Sequence, residues 1–240
     1  MEDVGEALAA LVADQPWVAF VAGRAPDLGP GWLGVADLIA GPAVDPCVAR
    51  LLDGRARGAR DVAATHLAGW LAGVLALPAV ATWRRAGTVW ALDPAGLAVR
   101  PHAGGWFDGL AVAPGPLVAR DASGLARDLV ALLDPLFAAI RARLPYGTAG
   151  MWGQVADLLA APPPDDGDGL VEALAARATR LRARPRWQPV AWAGGVHPAL
   201  VRGTCCLAHK VGDEGYCTSC PHRSDASRAA RTRDLLGGGA

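Results

Sequence analysis

Four of the five cysteines, Cys205, Cys206, Cys217 and Cys220, lie within sixteen residues of a 240-residue chain, in the pattern C-C-x10-C-x2-C. Four thiolates held close together repel one another, and a bound cation relieves that repulsion. The x2 spacing lets Cys217 and Cys220 approach a single metal centre from one tight turn. Zinc is one candidate, because four-cysteine zinc sites are common. Zinc ribbons, however, usually present two C-x2-C knuckles. Here one pair is adjacent, and adjacent side chains diverge. Divergent thiolates suit a dinuclear [2Fe–2S] cluster, which takes two thiolates per iron. The spacing favours iron–sulfur and leaves zinc open. The odd cysteine total and the tight grouping do not resemble a disulfide framework.

Other chemistry-bearing residues are fewer. Cys47 falls with Val48, Leu51 and Leu52 on one helical side and reads as a small buried thiol. His66 lies at the edge of an apolar helix face and reads as structural. His102 adjoins a glycine-rich loop, and His209 and His222 flank the cysteines. With four thiolates at hand, neither flanking histidine is needed as a ligand. A supporting role beside the ligands, or an ordinary surface position, fits both better. The nine tryptophans read mainly as core. There is no Walker A loop, no G-x-G-x-x-G after a strand and no G-x-S-x-G elbow, so electrons must come from outside the chain.

The elements that must position these residues are mostly helical. Val4, Leu8, Leu11 and Val12 share a face, and Trp17 to Val21 is a short candidate strand. Asp45-Pro46 starts a helix. A longer helix is expected from Asp61 to Leu77, with Leu67, Trp70, Leu71, Val74 and Leu75 inward, ending in a turn at Pro78. Strands are expected at Thr88 to Leu92 and Leu97 to Arg100, joined as a hairpin through Asp93-Pro94-Ala95-Gly96. One more strand is expected at Leu110 to Val112. Helix returns after Asp121, with Pro135 expected to kink or restart it. Further helices are expected from Thr148 and from Leu170 to Arg182. Pro162 to Gly169 is a linker by composition. Pro185 to Ala199, with three prolines, is expected to be irregular. The expected fold is α+β and mainly helical, with a small β-hairpin region. Residues 1–184 form a substrate-binding body and residues 185–240 a cluster-binding segment.

Composition narrows the function. There are 23 basic and 23 acidic residues, so the net charge is 0. That argues against a nucleic-acid binder. Val62 to Trp83 carries no charged residue, but His66, Pro78 and many alanines dilute it, and it reads as a buried helix rather than a membrane segment. The acidic N-terminus does not resemble a secretory signal. The expected compartment is the cytoplasm, where thiols stay reduced. From Arg202 onward, six basic residues meet four acidic ones. Arg202 and Lys210 are expected to balance the anionic charge of a cluster and to attract an anionic partner or chelate.

The cysteine ending, with Arg202, Thr204, Leu207, Lys210 and Pro221 around it, resembles the C-terminal signature of the FhuF-like ferric siderophore reductases. Thr218-Ser219 stands where that family often has Gly-Asp. Upstream, Met151-Trp152-Gly153-Gln154-Val155-Ala156 is similar to the family's Trp-Gly-Asn-Val-Ala motif, with Gln for Asn. The resemblance implies a [2Fe–2S] cluster on Cys205, Cys206, Cys217 and Cys220. It implies reduction of a ferric siderophore to release Fe²⁺, with electrons from an external reductase or ferredoxin-like protein. Trp152 and Gln154 become candidates for contact with substrate or cluster. An electron carrier serving another enzyme and a zinc-stabilised binding module are the alternatives.

Overall fold

The computed structural model describes residues 3–12, 15–53, 59–160, 169–178, 181–211 and 215–237. The architecture is α+β and mainly helical, with three small sheets among the described residues. Helix α4 (Arg60–Ala86) is the spine of the core, and α3 (Val44–Leu52), α5 (Ala122–Arg141) and α6 (Thr148–Leu159) pack on it. It is long and apolar enough to cross a bilayer, but most of that stretch is buried inside the protein.

Neither proline ends its helix: the turn expected at Pro78 and the restart expected at Pro135 do not occur. α4 continues through Pro78 and ends at Gly87, whose φ of 68° supplies the left-handed cap. α5 begins at the Asp121 cap, where Oδ1 accepts from Gly124 N at 2.6 Å, and continues through Pro135 to Arg141. Proline costs a helix interior about 3 kcal/mol. The buried faces outweigh that penalty. In α5, Leu125, Leu129, Leu132, Leu133, Leu136, Phe137 and Ile140 are all fully buried. Ala131, whose carbonyl loses its Pro135 partner, is exposed and can meet water.

The main sheet has the order β1-β5-β4-β2, with β1 (Ala19–Ala22), β2 (Leu33–Gly34), β4 (Leu97–Pro101) and β5 (Phe107–Val112). β1 is parallel to β5, and the other pairings are antiparallel. The hairpin expected across Asp93–Gly96 is absent. The first strand, β3 (Thr88–Val89), pairs with β6 (Val118–Ala119), and a 3-10 turn capped by Asp93 separates it from β4.

The segment expected to be irregular is instead a regular hairpin, β7 (Arg186–Trp192) and β8 (Gly195–Val201), closed by two residues. Its prolines do no harm, because Pro189 faces Pro198 directly. Counting back from the closing Trp192–Gly195 pair puts this pair at a position whose amides point away from the partner strand, so no ladder bond is lost. α7 (Leu170–Arg177) ends short of Arg182, and the expected linker lies outside the described residues apart from Gly169. A last helix, α8 (Asp225–Gly237), packs on β7 and was not expected from the sequence pattern, because only Arg228 and Thr232 on it are buried.

Candidate metal centre

The cysteines sit on two short segments between β8 and α8. Their thiols meet across the segments. Cys205 Sγ is 4.0 Å from Cys220 Sγ, and Cys206 Sγ is 4.0 Å from Cys217 Sγ. Each of these contacts takes one thiol from either segment, so the closest thiol contacts cross between the segments. Cys205 and Cys206 diverge into different pairs, as adjacent side chains must. Two thiol contacts, each joining the two segments, fit the two-per-iron donor set of a [2Fe–2S] cluster.

Local backbone geometry serves these sulfurs. Leu207 is the one non-glycine residue with positive φ among the described residues, at 60°. Such a conformation costs of order 1–3 kcal/mol and marks a functional constraint. The turn aims Leu207 N–H at Cys205 Sγ, 3.4 Å away, and Ala208 N–H bonds to Cys206. Bonding to the Cys217 thiol pulls the Cys206 pKa down to about 5 against the effect of burial, helped by Ala208 N–H, Arg202 and His66. The same bond, with burial, pushes Cys217 up. Burial raises Cys205, as do the neighbouring thiols. One thiolate forms readily, and each further one meets negative charge that a cation would relieve.

The body holds the first cysteine segment through α6. Asp157, only 4% exposed, accepts from Gly203 N at 2.6 Å, Thr204 N at 3.2 Å and Arg202 Nε at 3.1 Å. Burial raises its pKa, and these donors work against that rise. Gln154 Nε2 donates to Cys205 O at 3.3 Å, while Gln154 Oε1 accepts from Arg202 Nη2. Gly153 has to be glycine, since a Cβ there would stand 1.7 Å from Thr204 Oγ1. The second segment is held from within its own region. Arg223 Nε donates to Cys217 O at 3.0 Å and to Tyr216 O at 3.2 Å. Arg228, 0% exposed, donates to Cys220 O at 2.7 Å, Arg223 O at 3.0 Å, Gln188 Oε1 at 3.0 Å and Asp225 Oδ1 at 2.6 Å. Its Nε is buried without a partner.

A cavity of about 360 Å³ opens against this centre, lined among others by His66, Trp70, Gln154, Arg202, Cys206 and Ser219. Gln154 and Arg202 therefore touch both the cysteine segment and the cavity. Two expected residues lie elsewhere. Trp152 is 1% exposed, donates Nε1–H to Asp134 Oδ1 at 2.7 Å and packs edge-on to Phe137, so it anchors α6 and does not face a substrate. Lys210 bonds to Asp61 Oδ2 at the start of α4, which ties the segment to the body, and its charge also acts on Cys205. His66 and Trp70, read as structural and inward, stand one helical turn apart on the cavity wall, with ring centroids 5.2 Å apart. His209 Nδ1 is 3.8 Å from Cys205 Sγ, and its ring meets Tyr216, which meets His222. Cys47 is buried, and its thiol donates to Ala43 O.

Asp157, Arg223 and Arg228 were missed. Their only sequence signal is indirect: Asp157 lies three residues after Gln154, one turn along the same face of α6.

Residues 202–222 match the family described as the FhuF 2Fe-2S C-terminal domain, a span that contains all four clustered cysteines. No curated protein matches the chain. Residues 202–222 are thus similar to a FhuF-type domain, and that match indicates a [2Fe–2S] cluster on this segment.

Proposed function

We propose that this protein reduces the ferric ion of a siderophore by one electron and so releases it, with Cys205, Cys206, Cys217 and Cys220 as the cluster ligands. The observation that carries this reading is the position of Cys206. This thiol is both one of the paired donors and part of the wall of the 360 Å³ cavity. A cavity of that size lies in the range of small-ligand sites. When bound, a [2Fe–2S] cluster supplies one electron at a time.

The chain's own residues do the rest. Trp70 and Leu200 give the cavity apolar surface, and His66, Gln154 and Ser219 give it polar groups. Arg202 is oriented by Asp157 and Gln154, so its guanidinium is fixed at the cavity edge. Hard oxygen ligands of a siderophore hold Fe³⁺ far better than the softer, less charged Fe²⁺. One electron added to the substrate therefore frees the metal, with no covalent step or general acid. Residues 1–184 act as the substrate-binding body and 185–240 as the electron-transferring segment, in the cytoplasm, fed by an external one-electron donor.

The test is reoxidation of the dithionite-reduced protein by ferric siderophore, with ferrozine trapping Fe²⁺ and no nucleotide added. The rate should saturate with chelate, and Trp70→Ala should raise the half-saturating concentration several-fold while leaving iron content unchanged. A rate that stays linear in chelate and blind to its structure would leave a carrier without a substrate site.

A further inference from the structure

A second cleft, of about 230 Å³, adjoins the cysteine segment between β8 and α8. It is lined by His197, Ala199, Leu200, Thr218, Ser219, Thr232, Leu235 and Leu236. Thr218 and Ser219 are the two residues between Cys217 and Cys220. Leu200 and Ser219 line both cavities, so the segment that carries Cys217 and Cys220 borders each of them. The first cavity is walled mainly by the body. The second is walled only by residues of the cysteine-bearing region.

The rim of this second cleft has a definite chemical character. Leu235 is 68% exposed, and Val196 beside His197 is equally open. On α8, Thr232, Leu235 and Leu236 share a face, and helical spacing puts Arg231 and Arg233 on its two flanks. Both arginines are exposed and make no ion pair or hydrogen bond among the described residues. The other cations of the region are engaged: Arg186 and Arg228 on Asp225, Arg202 on Asp157, Lys210 on Asp61, and Arg223 on carbonyls. Residues 185–240 hold seven basic and four acidic residues, so this region is net +3 and residues 1–184 are net −3. An apolar centre with free cations at its edge suits a protein partner of opposite charge.

We propose that the β8–α8 cleft is the docking surface for an acidic one-electron carrier protein, which delivers electrons to the cluster through the cysteine segment that borders both cavities. This rests on the redox reading above. In each delivery the carrier is oxidised by one electron and the domain's cofactor is reduced by one, with no proton or bond exchanged. α8 is well placed for the task, since Arg228 ties its inner face to Cys220 O and Arg223 ties its approach to Cys217 O.

The test uses stopped-flow reduction of the full, cluster-loaded protein by a photoreduced, acidic plant-type ferredoxin. The double variant Arg231→Glu/Arg233→Glu should slow the second-order step about tenfold or more at low salt, with the gap closing as salt rises. Leu235→Asp should slow it as well, with a weaker salt dependence. Reduction by dithionite and reoxidation by ferric siderophore should be unchanged in both variants. Rates with ferredoxin that match the unmodified protein would overturn the proposal. So would slowing caused instead by Tyr216→Ser/His222→Ser, on the aromatic rim beside His209. An effect of the charge reversal on siderophore reoxidation would make the cleft a chelate site and overturn it equally. If unmodified protein fails to reduce ferric siderophore while ferredoxin reduction responds to the arginines, the docking surface stands and the substrate assignment falls.

Discussion

Asp157 on α6 accepts from the amides of Gly203 and Thr204 just ahead of Cys205, whereas Arg223 and Arg228 donate to the carbonyls of Cys217 and Cys220. The first cysteine segment is thus held by a carboxylate of the body, and the second by guanidinium groups of its own region. Because the thiol pairs cross, each pair takes one sulfur from each support. Neither support can fail without stripping a ligand from both pairs. The cluster should be kept or lost as a unit, and only while the C-terminal region is docked on α6.

The largest effect expected is from the ligands themselves. Replacing any one of Cys205, Cys206, Cys217 or Cys220 by Ala should reduce bound iron to background while far-UV circular dichroism keeps its helical signal, because the helical core lies in α4, α5 and α6. Retention of half the iron in any of the four would break the crossed-pair arrangement. Next is Asp157→Ala. Removing one partner of a buried charge pair costs about 3–5 kcal/mol. Arg202 and two amides would lose their acceptor, so urea unfolding should shift to lower concentration and the cluster should bleach faster in air. Arg228→Met should come third. A buried carbonyl left without its donor costs about 1–3 kcal/mol, and cluster loss should be accelerated with little change in unfolding of the body. Arg228→Lys should restore part of the retention. If Asp157→Ala and Arg228→Met damage the body equally, the two supports are not separable.

How far the sequence announced this centre depends on the range of the interactions. The cysteine spacing is local, and it pointed to a dinuclear site through the divergence of Cys205 and Cys206. The crossed pairing is not local, because it depends on how two segments fold over one another. The Trp152-Gly153-Gln154 stretch marked the right helix and, in Gln154, a side chain that does reach the cysteine segment, but Trp152 does not. Tryptophan invites a ligand reading, yet here it is a core anchor, and Gly153 and Gln154 do the docking. Asp157, Arg223 and Arg228 gave no direct signal, since a lone charge in sequence looks like surface until its partner 45 residues away is known, as with Asp157 and Arg202. The helices with apolar faces were legible. The β7–β8 hairpin was not, because its prolines read as breakers until the register shows them opposite each other. α8 was hidden because its buried face carries an arginine and a threonine instead of leucines.

The smallest effect sharpens the comparison at its edge, where Lys210 ties the first segment to Asp61 on α4. Burial raises the Asp61 carboxyl, but bonds from Lys210 and Val62 N–H and the Lys210 charge outweigh it, so its pKa lies below the ordinary value. The Lys210 pKa is raised by the same contact. A depressed acid contributes stability above its unfolded pKa, near 3.9, and loses it as pH falls through the folded value. The raised lysine contributes below its unfolded pKa, near 10.4, and loses it above the folded value. The contact should therefore be constant from about pH 5 to 9. Asp61→Asn should lower the midpoint of thermal unfolding slightly in that window and converge with the unmodified protein in acid. A difference that persists unchanged at pH 2 would assign the effect to something other than this ion pair.

The central claim is that two crossed thiol pairs hold one dinuclear cluster, and metal analysis of anaerobically purified protein tests it most directly. The account predicts a red-brown protein with about two irons and two acid-labile sulfides per chain, absent when Cys206 is replaced. A colourless protein with one zinc per chain and no sulfide would contradict it.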